Sequence, residues 1–226
     1  MKTVDNKVWN SYLAESPGSV LSMKRTIPII LLFCAPLFIS IMIGACSKKS
    51  YLNIDYRLPV VSDDLKGRSV FLDCQDARTS KSIFSKKVED EFKHFTGLFA
   101  LSVKDGGKPF VAGAFDLTSL FKEALSRRLQ NRGVEVVTQQ GKATPVLEII
   151  VREFRLDRVD RNWVASIAYD ARLLKDNKLL LTETISGDAE RFKVLGHGDA
   201  EKVLGEIFTE IVNKLDIRKL LDYAAS

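Results

Sequence analysis

Residues 146–186 read VLEIIVREFRLDRVDRNWVASIAYDARLLKDNKLLLTETIS, and the periodicity of this stretch decides the fold. Residues 146–151 are apolar on both sides, after which Phe154 and Leu156 alternate against Glu153, Arg155 and Asp157. A polar turn at residues 160–162 separates this run from a second one. There Trp163, Ala165, Ile167, Tyr169, Ala171 and Leu173 share one face, and Ser166, Asp170 and Arg172 share the other. Lys175-Asp176-Asn177-Lys178 has the composition of a hairpin turn, and residues 179–186 return. A period of two marks strands, and short polar turns between them mark hairpins. The stretch therefore predicts three consecutive strands forming an antiparallel meander with one face in solvent.

On the C-terminal side the period changes to three and four. Gly196-His197-Gly198-Asp199 stops the sheet, with Asp199 placed as the N-cap of a helix. Val203, Leu204, Ile207, Phe208, Ile211, Val212 and Leu215 then line one face, opposite Glu206, Glu210 and Asn213. Residues 217–223 add a short terminal helix. On the N-terminal side, residues 115–132 form a second amphipathic helix. Asp116 is its N-cap, Phe115 and Leu120 form a hydrophobic staple, and Gly133 supplies the left-handed residue that ends it. Leu117, Leu120, Phe121, Ala124, Leu125 and Leu129 are its apolar face. Arg128 falls within that face and is expected to snorkel over the sheet edge. Val134 and Val136 begin another strand. The expected fold is α+β: an antiparallel sheet, built on the meander, with two amphipathic helices packed on one face as a two-layer sandwich.

Further upstream, residues 53–58 alternate with Ile54, Tyr56 and Leu58 on one side, and Pro59 follows, as in an edge strand. Residues 70–72 are a buried strand running into Asp73-Cys74-Gln75-Asp76-Ala77-Arg78, where the two aspartates read as caps of a strand end rather than paired acids. Residues 84–110 read as a helix-and-hairpin flap. Val88, Phe92 and Phe95 share a helical face, and residues 98–103 pair across Gly106-Gly107 with Phe110 and Val111. Seven of the 13 phenylalanines lie between Phe84 and Phe121. Two accounts of Phe92 and Phe95 stand side by side: they cover the open end of the sandwich, or they form a binding surface for a partner.

The N-terminal region determines where the chain goes. Met23-Lys24-Arg25 is a short positive start, residues 27–45 are 19 residues without a charge, and Ile43-Gly44-Ala45-Cys46 closes the run. That order is an export signal. It resembles the bacterial lipoprotein signal, in which two small residues precede a cysteine whose thiol takes a diacylglycerol before cleavage. The resemblance implies cleavage between Ala45 and Cys46, lipidation of Cys46, and a mature chain beginning there. The alternative is an uncleaved transmembrane anchor, since about 17–25 apolar residues suffice to cross a bilayer; Pro28 and Pro36 weigh against it. Residues 1–22, polar and without a period, read as an over-long gene start. The expected organisation is thus a signal at 23–45, a lipid-anchored tether and edge strand at 46–65, and a single α+β domain at 66–226.

Composition narrows the function. Of 34 Lys and Arg and 29 Asp and Glu, four and two precede Cys46, so the mature chain has an excess of only three cations. The full sequence's pI near 9.0 does not imply nucleic acid, because the signs are interspersed. Cys34 lies in the signal and Cys46 takes the lipid, which leaves Cys74, a lone thiol without a bridging partner and expected to be buried on its strand. The only histidines are His94 and His197, and His197 reads as a solvent-facing loop residue. There is no Gly-x-Ser-x-Gly elbow, no His-Glu-x-x-His and no phosphate-binding loop. No catalytic residue, metal site or cofactor is therefore expected.

Several of these segments together resemble the YajG family of outer-membrane lipoproteins. The resemblance rests on Tyr56-Arg57-Leu58-Pro59, Asp76-Ala77-Arg78-Thr79, Asn131-Arg132-Gly133, Leu147-Glu148-Ile149-Ile150-Val151 and the final amphipathic helix, in that order. It spans about residues 57–222 apart from a middle stretch, and its motifs concern packing and turns. It implies a lipid-anchored envelope protein in the outer membrane with its domain facing the periplasm. Ser47 after the lipidated cysteine agrees with outer-membrane sorting by resemblance to enterobacterial lipoproteins. The expected function is a non-enzymatic structural or binding module that touches the membrane through its lipid and acts through an envelope protein partner. Alternatives are an accessory lipoprotein of an envelope transport system and a periplasmic hydrolase. A deep polar cleft with converging carboxylates would favour the hydrolase.

Overall fold

The long meander is the backbone of the molecule. The computed structural model describes residues 50–193 and 198–225. In chain order these form β1 (Tyr51–Arg57), β2 (Ser69–Asp76), a single 3-10 turn (Glu89–Phe92), β3 (Leu98–Lys104), β4 (Phe110–Phe115), α1 (Leu117–Asn131), β5 (Glu135–Val137), β6 (Val146–Val159), β7 (Asn162–Lys175), β8 (Lys178–Phe192), α2 (Gly198–Lys214) and α3 (Ile217–Ala225). The strands build a five-stranded sheet in the order β5-β2-β6-β7-β8 and a three-stranded sheet in the order β1-β3-β4. The protein is α+β, a sandwich of sheet and helix.

β6, β7 and β8 are antiparallel, as the alternation predicts. Every second residue of β7 from Trp163 to Leu173 is buried. Asp176 and Asn177 both take positive φ at the β7–β8 turn, the geometry that a two-residue hairpin needs. The expectation of a purely antiparallel sheet is corrected elsewhere: β1 pairs β3, and β2 pairs both β5 and β6, in parallel. Parallel neighbours require a long crossover, and residues 77–134, which hold β3, β4 and α1, supply it for β2 and β5. Alternation within a strand carries no information about its neighbour's direction.

The 84–110 segment also differs from the expected flap. Its helical part shrinks to the 3-10 turn. The hairpin forms, with Val103 opposite Phe110 and Ser102 opposite Val111. β3 is nevertheless an interior strand, with β1 on one side and β4 on the other, and its Phe99, Leu101 and Val103 are buried. Asp199, expected as an N-cap, lies inside the first turn of α2. β8 runs on to Phe192, beyond the expected end at Ser186.

An aromatic chain joins the layers. Tyr56 of β1 meets Phe208 of α2 (6.0 Å), Phe208 meets Phe121 of α1 (5.2 Å), Phe121 meets Phe154 of β6 (6.2 Å), and Phe154 meets Phe99 of β3 (5.3 Å), all edge to face. Such pairs add about 0.5–1.5 kcal/mol each beyond area burial. Asp116 caps α1 as predicted, accepting a hydrogen bond from Ser119 N at 2.8 Å, and Gly133 takes φ +82 beyond its end.

Arg128 does not snorkel. It is 6% exposed and reaches across from α1 to the last turn of α2. There it donates to the carbonyls of Val212, Asn213 (2.6 Å) and Leu215 (2.7 Å). A helix C-terminus leaves carbonyls without partners and carries partial negative charge, so a buried guanidinium completes it. The Tyr169 hydroxyl donates to the neighbouring Ile211 carbonyl at 3.1 Å.

β1 is an edge strand whose open side α2 closes. Glu201, Gly205, Thr209 and Asn213 recur every four residues, one ridge of the helix, and lie along residues 53–57. Asn53 N donates to Glu201 Oε1 (3.0 Å), Arg57 N to Thr209 Oγ1 (3.2 Å), Thr209 Oγ1 to Asp55 O (3.1 Å) and Asn213 Nδ2 to Arg57 O (2.9 Å). Strand groups that another strand would satisfy are thus met by helix side chains, which protects the edge. No helix among the described residues is long and apolar enough to cross a membrane.

Candidate functional site

The five-stranded sheet has a gap in its pairing, and a cleft opens at the gap. β2 pairs with β6 as far as Asp76 opposite Val151, and Ala77 N donates to Val151 O at 2.9 Å. The register of β6 then shifts between Val151 and Glu153; such a bulge bends the strand and breaks its ladder. The chain leaves the sheet after Ala77 and returns at Phe84, which bridges Leu156 in parallel. Leu156 N donates to Ile83 O (2.6 Å) and Ser85 N to Leu156 O (3.1 Å). Between these two points of attachment a cleft of about 680 Å³ opens beside residues 152–157 of β6.

Arg78 forms the floor. It is 8% exposed and its side chain makes four hydrogen bonds. Nε and Nη2 donate to the two Asp76 oxygens at 3.0 Å each, Nη1 donates to Phe154 O (3.2 Å), and Nη2 also to Lys81 O (3.2 Å). The guanidinium thereby takes up a β6 carbonyl that would otherwise pair with the departed strand. Burial pushes the Asp76 carboxyl up; the hydrogen bonds and charge of Arg78, helped by Lys81, outweigh it and bring the group down to about 2. Asp76 is fixed as a carboxylate that holds Arg78, the strand-end role its position suggests.

The walls are cationic and rich in hydroxyls. Thr79, Ser80, Ser82, Ser85, Lys86 and Lys87 form one side; Arg152, Glu153, Arg155 and Asp157 form the other. Arg152 pairs with Asp170 and Arg155 with Asp157, both at 2.9 Å. Asp157 also accepts from Ser85 Oγ and from Arg158 N (2.7 Å). Burial raises its carboxyl, and these bonds together with the charges of Arg155 and Lys87 bring it below the ordinary value. A carboxylate so held is a poor proton donor near neutral pH.

Glu153 and Asp157 are the two carboxylates facing the cleft. Asp157 is engaged by Ser85, Arg155 and Arg158, whereas Glu153 lies at the bulge of β6. Among the described residues no three His, Cys, Asp or Glu side chains gather as metal ligands. The cleft is lined by five cations, four hydroxyls, the two carboxylates and an apolar rim at Phe84, and Arg78, Arg152 and Arg155 among the cations are already paired with aspartates.

The residues singled out from the sequence fall in different places. Ala45, Cys46 and His197 lie outside the described residues. Phe92 is 8% exposed. It stacks on Phe84 at 4.4 Å and meets the edge of Trp163 at 5.8 Å. Phe95 is half-buried and touches Phe84 (5.3 Å) and Phe99 (5.4 Å). Both belong to the aromatic cluster behind the cleft rim rather than to its lining. Cys74 faces the core, and burial pushes its thiol up to about 12. The cleft itself was missed. Its signal is Asp76-Ala77-Arg78 followed by the polar run Thr79-Ser80-Lys81-Ser82, which marks where a strand leaves its sheet.

No protein-family model matches the chain, and no curated protein does. Among solved structures it is similar to a Xanthomonas campestris protein of the DUF330 family, with 16% identity over 75% of this chain and 94% of that one and a TM-score of 0.49. It is also similar to rare lipoprotein B from Shewanella oneidensis (11% identity, 46% of this chain and 84% of that one, TM-score 0.35). A minor lipoprotein from Acinetobacter baumannii matches at 14% identity, 46% and 88% coverage and a TM-score of 0.34. The structures that the chain resembles thus include bacterial lipoproteins.

Proposed function

We propose that this protein is a lipid-anchored lipoprotein of the cell envelope, of the YajG-like kind, that works by binding a partner rather than by catalysis. The observation that carries the reading is a spacing. Ile43-Gly44-Ala45-Cys46 ends 19 uncharged residues behind Lys24-Arg25, and the first strand begins at Tyr51, five residues after the cysteine. A signal, a lipid attachment point, a four-residue link and a folded domain follow one another without spare chain. Ser47 supports the outer membrane as the destination, with the domain on the periplasmic side. A second reading, an uncleaved membrane helix, is favoured by the length of the uncharged run.

The binding role is supported by the chemistry of the cleft. Asp76 and Asp157 are occupied in holding Arg78 and Arg155, Arg152 is paired with Asp170, and Lys86 and Lys87 stand beside the hydroxyl groups of the cleft. Such a surface suits an anionic partner group, which charge-assisted hydrogen bonds would hold.

The test is metabolic labelling with a fatty acid, together with the mass of the N-terminal peptide. The wild-type chain should carry label and begin at a diacylated Cys46, and Cys46→Ser should lose label and cleavage together. An unchanged label in Cys46→Ser, or an uncleaved wild type, overturns the lipoprotein reading. Crosslinked capture from membranes should then recover an envelope partner with the wild type and lose it with Lys86→Glu plus Lys87→Glu.

A further inference from the structure

We infer that the end of the domain carrying Ser50, Tyr51 and Leu98 rests on the headgroups of the bilayer, with β1 and β3 pointing away from it. The inference depends on the lipidation of Cys46 proposed above. Its first support is the length of the link. Ser50 is held to the domain, because Thr96 N (2.9 Å) and Thr96 Oγ1 (2.8 Å) both donate to its carbonyl. Four peptide units separate Cys46 from Ser50, and fully extended they span about 14 Å at most. The polar layer on each side of a bilayer is about 5–8 Å thick. With its acyl chains in the hydrocarbon, Cys46 lies at the level of the polar layer, so even a taut link holds Ser50 within about 14 Å of the headgroups. A slack link brings that end of the domain down onto them.

The second support is what stands at that end. β1 and β3 run parallel with Tyr51 opposite Leu98, and both residues are 41% exposed. From Thr96 the contacts lead through Phe95, whose amide bonds Phe92 O, and through Phe92 to Trp163 at the start of β7. Phe192 pairs with Asn162 beside Trp163 and is 52% exposed, with the Arg161 guanidinium 5.2 Å from its ring centre. One end of the molecule thus presents Tyr51, Leu98 and Phe192, with the Arg161 guanidinium against Phe192 and the acidic turn Glu89–Phe92 nearby; exposed aromatic and apolar side chains beside an arginine suit a membrane interface. Exposure alone would not choose this end: Leu179, at the opposite end of β7 and β8, is 55% exposed. The link chooses it.

The experiment places an environment-sensitive fluorophore at Leu98→Cys or Leu179→Cys in the full chain, with Cys74→Ser to remove the half-buried thiol. The lipidated protein is inserted in vesicles of phosphatidylethanolamine and phosphatidylglycerol containing a lipid with a nitroxide on its headgroup. Quenching at position 98 should exceed that at 179 several-fold. Equal quenching, or stronger quenching at 179, overturns the orientation. The N-terminal mass is measured on the same samples. A missing diacylglycerol refutes the anchor, whereas a lipidated protein with unquenched position 98 refutes only the orientation. If Leu98→Cys loses its native circular dichroism, Lys93→Cys, exposed at the same end, makes the same comparison.

Discussion

Gly205 of α2 lies so close to Asp55 of β1 that a β-carbon on it would stand 3.0 Å from both the nitrogen and the oxygen of Asp55. The neighbour is backbone in a paired strand and cannot rotate aside. Gly205→Ala should therefore force the helix off the strand and cost about 1–3 kcal/mol, the range for overpacking. For a domain of this size that lowers the melting temperature by roughly 3–10 °C, measurable by circular dichroism. An unchanged melting temperature would mean that the ridge does not hold the edge.

Arg128 is a buried cation whose partners are carbonyls at the end of α2. Arg128→Met keeps the volume and removes the donors. Each buried carbonyl left without a partner costs about 1–3 kcal/mol, so the total in urea unfolding should reach about 3 kcal/mol or more. Arg128→Lys should recover only part of it, since one ammonium cannot reproduce the planar fork.

Phe92 stacks on Phe84 and meets Trp163 edge to face, and Phe95 meets Phe84 and Phe99. Buried Phe→Ala changes cost about 3–5 kcal/mol, so Phe92→Ala with Phe95→Ala should lower the melting temperature by roughly 10 °C or more. Membrane partners should still copurify at low temperature. Nearly unchanged stability with loss of a partner would instead make the pair a contact surface.

Acid should loosen the cleft before it unfolds the core. The Asp76 carboxyl, held at about 2 against an ordinary 3.8, contributes stability that is fully present above about pH 4 and is lost as pH falls toward 2. Glu91, where Lys193 and Arg158 outweigh the effect of burial, and Asp157 act in the same direction. Asp76→Asn should melt below wild type at pH 7, and the difference should shrink as pH falls below about 4 and close only below about pH 2. A difference independent of pH would show that the carboxylate charge is not what holds Arg78.

Cys74 should be chemically quiet. With its thiol pushed up to about 12 by burial, the thiolate fraction at pH 8 is about one part in ten thousand. Iodoacetamide should label the protein slowly when native and rapidly in guanidinium. Fast native labelling would contradict the packing of β2.

The meander, α1 and α2 were legible in the sequence because each has an unbroken period. All six alternating positions of β7 from Trp163 to Leu173 are buried, and the apolar face of α2 is buried from Val203 to Leu215. What was not legible depends on neighbours rather than on period. β3 looks like half of a flap because nothing within residues 98–104 reveals that β1 lies alongside. Arg128 looks like a surface cation because its partners are main-chain carbonyls more than 80 residues away. The cleft was hidden because a missing pairing leaves no mark on the strand that lacks it, apart from the polar residues that replace it.

The ridge of α2 on β1 also sets an order of events. Its hydrogen bonds join residues about 150 positions apart, so a chain that emerges N-terminus first exposes β1 long before its cover exists. The opening strand stays incomplete until nearly the last helix has been delivered. Contacts of such long range slow folding and leave an adhesive edge uncovered meanwhile. Loss of the final quarter of α2, which carries Asn213, would leave the Arg57 carbonyl at the end of β1 without its donor and that part of the edge uncovered.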